Sequence, residues 1–258
     1  MPNISFSFDD SRRDFYTNVF PLLKKYHMPA TLNVITSRVE KSVKDDDKRR
    51  YMTVDEVKEV ATSGLVEIAS HSANHRNDIE DVRQSLKCIN VWCSGNYAGG
   101  GYASPFSELT LESAKEKGFF ELLENGQLKY IRSGIRTKRE GIMFAGMRYI
   151  NQYLKSPFLF RLMNKKFVFT ELQQPFLPSV AIHKDTTLKM LRYFFRTMRN
   201  DQSVVFCLHG VLHYQEGDFE KRFNWDYEVF EDVLKFLKEE KRVKVMTTAQ
   251  LVEHALRR

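Results

Sequence analysis

Residues 3–11, NISFSFDDS, alternate Ile4, Phe6 and Phe8 with Asn and Ser and then end on two adjacent carboxylates, Asp9 and Asp10. A period of two is the signature of a strand. The pattern then changes to helical spacing in DFYTNVFPLLKKY (14–26), where Pro21 marks a kink or a break. PATLNVIT, from Pro29, reads as a second strand. TVDE at 53–56 has the spacing of a capping box and opens a helix that Gly64 stops. LVEIAS follows as a third strand and ends at His71. Strand and helix keep alternating through DIEDVRQSLKCINVW, GYAS and SELTLESAKEKG, and again through TTLKMLRYFFRTMRN, SVVFCLHG, DYEVFEDVLKFLKEE, VKVMTT and AQLVEHALRR. Regular βα alternation predicts an α/β fold with a parallel sheet or barrel, whose chemistry sits at the C-terminal ends of the strands. Asp9, Asp10 and His71 all fall at such ends.

At 258 residues, with 42% apolar residues and 20 Phe, the chain can bury the core of one large α/β domain. No repeat, Gly/Ser linker or low-complexity tract divides it. A single domain over residues 1–258 is expected, with a basic, aromatic insertion of mixed helical character at about 135–180. No apolar run reaches the ~18–20 residues that cross a bilayer. The start lacks the features of a secretory signal, and cleaving one would remove the acid doublet, so a cytoplasmic location is expected. Cys88, Cys93 and Cys207 show no Cys-x-x-Cys spacing and read as free thiols. Net charge is +7, but residues 129–200 hold 15 Lys and Arg against three acids, a surplus of +12 that leaves −5 for the rest. Such a block favours an anionic partner: a phosphorylated substrate, an anionic membrane surface or nucleic acid, the last with charge alone behind it and no recognisable binding motif.

HSANH puts His71 and His75 four apart, a spacing at which one helical turn would bring both imidazoles to one face. Alone, the pair reads equally well as two surface residues. A carboxylate from an earlier strand end makes it an open two-His, one-Asp site with room for water and substrate. One Asp of the doublet can then bind metal while its neighbour holds or deprotonates water. The competing reading of Asp9-Asp10-Ser11 is a helix N-cap. His209, at the end of the apolar strand VVFCLHG, is a third histidine in the same kind of position and suits proton transfer.

With these residues in hand, the sequence resembles the polysaccharide deacetylases of the NodB-homology group. SFDDS is similar to the family's Thr/Ser-Phe-Asp-Asp motif, HSANH to His-Ser/Thr-x-x-His, CLHG to the last Leu-His motif, and PATLNVI to the Pro-Ala-Thr-Phe-Phe-Val strand. The order agrees over most of residues 3–255. The resemblance implies a distorted (β/α) barrel of about seven strands. It also implies metal-dependent removal of acetyl from an N-acetylated sugar. Asp10, His71 and His75 would hold Zn²⁺ or another divalent ion such as Co²⁺. Asp9 would be the general base and His209 the general acid. Leu208 would line the acetyl pocket, and the backbone N–H of Phe106, in YASPFSE, would face the oxyanion.

In two places the sequence departs from the family. The third motif carries an Arg that orients the catalytic Asp, and here Ala103 stands in its place; the Asp and Trp of the fourth motif have no evident counterpart. YIRSGIRT offers Arg132 and Arg136, and Arg132 is expected to supply the missing cation to Asp9. The leading expectation is a deacetylase acting on a sugar joined to a phosphate-linked carrier, a nucleotide sugar or a lipid-linked oligosaccharide, in surface-polysaccharide, lipopolysaccharide or glycolipid biosynthesis. Peripheral contact with the inner membrane surface would follow from the insertion, which mixes Phe, Leu and Tyr with Lys and Arg. The alternatives are a metal-dependent amidohydrolase on a non-sugar amide, and an inactive glycan-binding member of the fold.

Overall fold

In the computed structural model of the chain, residues 1–39, 50–93, 100–133, 138–213 and 223–257 are described. The alternating segment at the start forms β1 (Asn3–Phe8), and it is buried on both faces. Ile4, Phe6 and Phe8 enter a large hydrophobic core together with residues of the surrounding helices. The serines face the other way: Ser7 accepts from Asn33 and Ser5 bonds Thr248. What reads as polar alternation is thus the polar lining of a barrel interior, not a solvent face.

Around β1 lie β2 (Ala30–Val34), β3 (Val66–Ser70), β4 (Gly101–Ala103), β5 (Tyr130–Ser133), β6 (Phe176–Pro178), β7 (Val180–Ala181) and β8 (Ser203–Leu208). Hydrogen bonding runs β6-β5-β4-β3-β2-β1-β8-β7, every pair parallel. β6 and β7, the two ends of this path, are separated in sequence by Ser179 alone. One broken stave, 176–181, therefore pairs with β5 at one end and β8 at the other, giving a barrel of seven staves. A further parallel pair, β9 (Gly210–Leu212) and β10 (Asn224–Asp226), extends from β8, and β11 (Lys244–Val245) pairs with the start of β1.

Ten α-helices among the described residues clothe the barrel: α1 (Phe20–Tyr26), α2 (Val54–Thr62), α3 (Ile79–Trp92), α4 (Leu111–Glu116), α5 (Phe119–Glu124), α6 (Lys138–Leu154), α7 (Pro157–Met163), α8 (Leu188–Arg196), α9 (Tyr227–Glu239) and α10 (Thr248–Leu256). Local chemistry sets most of their ends. Thr53 and Glu56 close the expected capping box on α2, and Gly118, at φ 77°, separates α4 from α5. The segment 14–26 divides as Pro21 suggested, into a π-helical turn (Phe15–Val19) and then α1, with the proline in the first turn of α1. The expected insertion contains α6 and α7, but its final residues are not insertion at all: they are β6, which closes the barrel.

Candidate active site

The ends of β1, β3 and β8 meet at the C-terminal mouth of the barrel. Asp10 and Ser11, immediately after β1, take left-handed backbone angles (φ 78° and 49°). The helical segment that follows opens at Arg13 and runs into the π-helical turn at Phe15, whose preceding residue Asp14 is itself helical and makes no side-chain cap bond. The doublet is therefore not a helix cap. Ser11 fixes the turn, because its Oγ accepts from the Ile35 N–H (3.0 Å) and its carbonyl from Met52. Ser72, His75, Phe106 and Ser107 also have positive φ, so six of the eight such non-glycine residues among the described residues surround this mouth. Left-handed backbone costs each of them on the order of 1–3 kcal/mol, and such strain collects where geometry serves function.

His71 and His75 do not share a helical turn. They are joined by a loop in which Ser72 and His75 are left-handed, and it is this loop that brings the rings to a centroid separation of 4.8 Å. The expected single turn fails because α3 starts later, at Ile79, and organises the loop from outside: Asp81 accepts from the Asn74 N–H (2.8 Å) and from Asn74 Nδ2 (2.7 Å). Asn77 ties the same loop to Tyr102 and Ser104. His71 Nδ1 lies 2.7 Å from the Ala103 carbonyl and donates to it, which turns Nε2 toward Asp10. Both Nε2 atoms stand 3.8 Å from Asp10 Oδ1. Burial, then the neighbouring His71, lower the His75 pKa to about 4, which keeps that ring neutral and able to ligate at pH 7. Ligands bound tetrahedrally at ~2.0–2.1 Å lie roughly 3.4 Å apart, so a carboxylate oxygen and two imidazole nitrogens with these separations fit a divalent metal.

Asp9 faces into the barrel and is almost fully buried. Arg132 Nη2 donates to both of its oxygens, at 2.7 Å to Oδ2, while Arg132 Nη1 donates to Ser179 (3.1 Å), the residue that joins β6 to β7. Asn33 Nδ2 donates to Oδ1 at 2.8 Å and the Cys207 thiol to Oδ2 at 3.3 Å. The Asp9 N–H reaches the Leu208 carbonyl at 2.8 Å. Burial by itself would push the Asp9 carboxyl up, but the Arg132 guanidinium outweighs it and, with His71 and His209, holds the group well below the usual carboxylate range. Burial raises the Cys207 thiol, so it stays a donor. His209 completes this second cluster: one ligand-type atom each of Asp9, Cys207 and His209 lie within 4.8 Å of one another. Burial also lowers the His209 pKa.

Arg132 stands in register with Ala103 across β4 and β5. The cation thus enters from the strand beside the one where the family's motif would carry it. Arg136 lies outside the described residues. Phe106 is 71% exposed, its ring packs 4.6 Å from His75, and no partner accepts its backbone N–H among the described residues. Leu208 joins the hydrophobic core outside the barrel, whereas Cys207, one residue earlier, is the inward neighbour of Asp9. Sequence reasoning missed Asn33, Cys207 and Asp81 as supporting residues. The first two had a legible signal, a polar side chain inside an otherwise apolar strand.

Comparison with known proteins follows the same division of the chain. Residues 2–90 match the model of the family described as polysaccharide deacetylase. The poly-β-1,6-N-acetyl-D-glucosamine N-deacetylase of Escherichia coli K12 is 40% identical over 82 residues, covering 29% of this chain and 12% of that protein. The enzyme of the same name from Staphylococcus epidermidis is 27% identical over 103 residues, 37% of this chain and 35% of its own. The matched stretch thus spans only a small part of these curated relatives. The barrel as a whole is similar to a family 4 acetyl xylan esterase from Clostridium thermocellum solved with a cobalt ion (TM-score 0.53, 14% identity, covering 97% of this chain and 90% of that one). It is also similar to the Xyl-CE4 domain of a multidomain xylanase from the hindgut metagenome of Trinervitermes trinervoides (TM-score 0.50, 13% identity, 97% and 89%). The family's sequence thus matches the part of the chain that holds the first three strands, and over nearly its whole length the chain is similar in fold to these solved barrels.

Proposed function

We propose that the protein is a metal-dependent carbohydrate N-deacetylase, hydrolysing the acetamide of an amino sugar to acetate and the free amine. The observation that carries this reading is the adjacency of two clusters at one barrel mouth, a three-ligand set (Asp10, His71, His75) and a compensated buried carboxylate beside a histidine (Asp9, Arg132, His209). Zn²⁺ or Co²⁺ held by the first cluster would polarise the amide carbonyl and acidify water. Asp9, kept ionised by Arg132, takes the proton from the attacking water. His209, once protonated, would pass a proton to the departing amine nitrogen as the C–N bond breaks; burial lowers its pKa, which makes the protonated form scarcer and a stronger acid. The Phe106 N–H donates to the developing oxyanion. Leu208 acts through its carbonyl, which fixes the Asp9 backbone.

The relatives named as N-acetyl-D-glucosamine polymer deacetylases support an N-acetylated sugar as substrate. The +12 segment supports an anionic, phosphate-linked carrier, with surface-glycan biosynthesis as the setting. Three unpaired thiols favour the reducing cytoplasm, and no helix among the described residues is long and apolar enough to cross a membrane. Metal analysis of wild type and His71→Ala, with acetate release measured with and without chelator, tests the reading. Wild type should carry about one metal and lose turnover on chelation, and the variant should carry far less. A wild type that binds no metal and does not respond to added Zn²⁺ or Co²⁺ refutes it.

A further inference from the structure

Eight of the 14 large exposed hydrophobic side chains among the described residues fall between Ile142 and Leu162, on α6 and α7. Ile142, Tyr149, Ile150, Tyr153 and Leu154 recur at helical spacing along the outward face of α6, and Phe158 continues the face on α7. Solvated helix faces are ordinarily polar, so a stripe of this kind is an unmet surface. The opposite side is well anchored. Asn151 is buried and accepts from the Ser156 N–H (2.9 Å), Phe160 packs on Phe194 with centroids 6.0 Å apart, and the Arg161 guanidinium lies 4.7 Å from the Phe194 ring centroid. Between the two helices lies a groove of about 460 Å³ lined by Met143, Phe144, Met147, Leu162 and Met163, with Lys165 and Lys166 also in its wall.

Charge decides what such a face would meet. Residues 138–166 hold seven Lys and Arg and one acid, Glu140, a net of +6. A second copy seated on the same patch by two-fold symmetry would bring +6 against +6, whereas an anionic lipid surface satisfies the charge and the apolar stripe together. Position agrees. α6 begins five residues beyond the end of β5, which carries Arg132, and Arg148 pairs at 3.5 Å with Asp185, just beyond the C-terminal end of β7. The patch is thus mounted on the rim that also holds the candidate active site.

We infer that α6 and α7 form an interfacial docking surface for a bilayer containing anionic lipid, holding the barrel mouth at the level where a lipid-borne sugar is presented. The inference deepens the reading of a phosphate-linked lipid carrier and rests on it for its purpose, but binding is measured without turnover. Flotation with phosphatidylcholine vesicles, with and without phosphatidylglycerol, is the test. Wild type should float with the anionic vesicles, weakly or not at all with the neutral ones, and less at raised salt. Ile142→Ser/Ile150→Ser/Phe158→Ser should lower the partition coefficient about tenfold or more. Lys155→Glu/Lys165→Glu should do the same through charge alone. Both variants should keep the wild-type melting profile and acetate release from a soluble N-acetylglucosamine oligomer. A wild type that ignores anionic vesicles, or variants that float as well as it does, overturns the inference and leaves the deacetylase reading standing. So does a dimer that the serine variant abolishes without any vesicle binding by wild type. Absence of acetate release with vesicle binding intact would sink the deacetylase reading instead.

Discussion

Replacing Arg132 by Met tests the electrostatic logic of the site at its most exacting point. The Arg132 side chain is fully buried and that of Asp9 is 6% exposed, so the substitution leaves a carboxylate inside the barrel with only Asn33 and Cys207 to solvate it. Breaking a buried pair by removing one partner costs about 3–5 kcal/mol, which in a chain of this size is a fall in Tm of roughly 6–20 °C. Asp9→Asn leaves the guanidinium stranded instead and should cost a similar amount. The double variant strands neither charge, so it should lose no more than the worse single variant, giving a coupling of roughly 3 kcal/mol in the cycle. The pH dependence has a definite sign. In wild type the Asp9 pKa is depressed below 3.8, so its contribution is present above that value and disappears only as pH falls through the lower folded one. Without Arg132, burial pushes the carboxyl up, and acid then relieves the variant. The gap in Tm between wild type and Arg132→Met should narrow as pH falls from about 7 toward 4, and the acid limb of acetate release should move to higher pH. Additive losses in the double variant together with a gap that does not narrow would refute the reasoning.

Three further expectations follow, the first two away from Asp9 and the third at a neighbour that shares it. A methyl group at Gly101 would lie 1.8 Å from the Tyr130 ring, which is fully buried and held by Glu67 at 3.0 Å, so Gly101→Ala should cost ~3 kcal/mol or more by denaturant titration. A loss under about 0.5 kcal/mol would mean that the two strands are not packed as described. Burial raises the Glu67 carboxyl above 4.5 despite bonds from the Ala249 N–H, Thr31 and Tyr130, so the folded state prefers its protonated form and loses that preference as pH rises. Glu67→Gln should therefore raise Tm at pH 8, by a margin that shrinks to nothing below about 4.5; a margin that grew in acid would show the sign to be wrong. Asn33→Ala removes the 2.8 Å donor to Asp9 and should lower kcat about 10- to 100-fold with metal content unchanged, whereas an equal loss of metal would place Asn33 in the wrong cluster.

The parts of the fold that sequence makes legible are those set by neighbours in the chain. β1, β2, β3 and β8 announce themselves by alternation or by β-branched runs, and Thr53 with Glu56 announces the start of α2. Barrel closure is invisible by the same standard. β6 and β7 have three and two residues, too few to show a period, and Pro178 and Ser179 give no strand signal between them. Their strand character comes from β5 and β8 on either side. The site divides in the same way. The residue types of Asp9, Asp10, His71, His75 and His209 sit at readable strand ends, but the path between the two HSANH histidines is set by Asp81 and Asn77 on and before another helix, which a spacing of four cannot reveal. Nor could the sequence separate Leu208 from Cys207 as the inward residue, since that depends on which face of β8 meets the barrel axis.

The exchange at Ala103 and Arg132 shows what the site requires. Asp9 needs a cation inside the barrel; the strand that provides it is secondary. Ala103 and Arg132 are direct register partners on parallel strands, and neighbouring strands lie roughly 4.7–4.9 Å apart, within the reach of an arginine side chain. A guanidinium rooted on β5 can therefore occupy the space that one rooted on β4 would have used. The move has a further consequence. From β5 the guanidinium also donates to Ser179, so the residue that compensates Asp9 is tied to the break in the closing stave. Position 103 keeps a separate duty through its backbone, because its carbonyl holds the proton on His71 Nδ1 and leaves Nε2 toward Asp10. The two functions that one strand could have combined are divided between a side chain on β5 and a carbonyl on β4. Where the resembled motif would carry an arginine at position 103, the cation paired with Asp9 in this structure is Arg132 on the neighbouring strand.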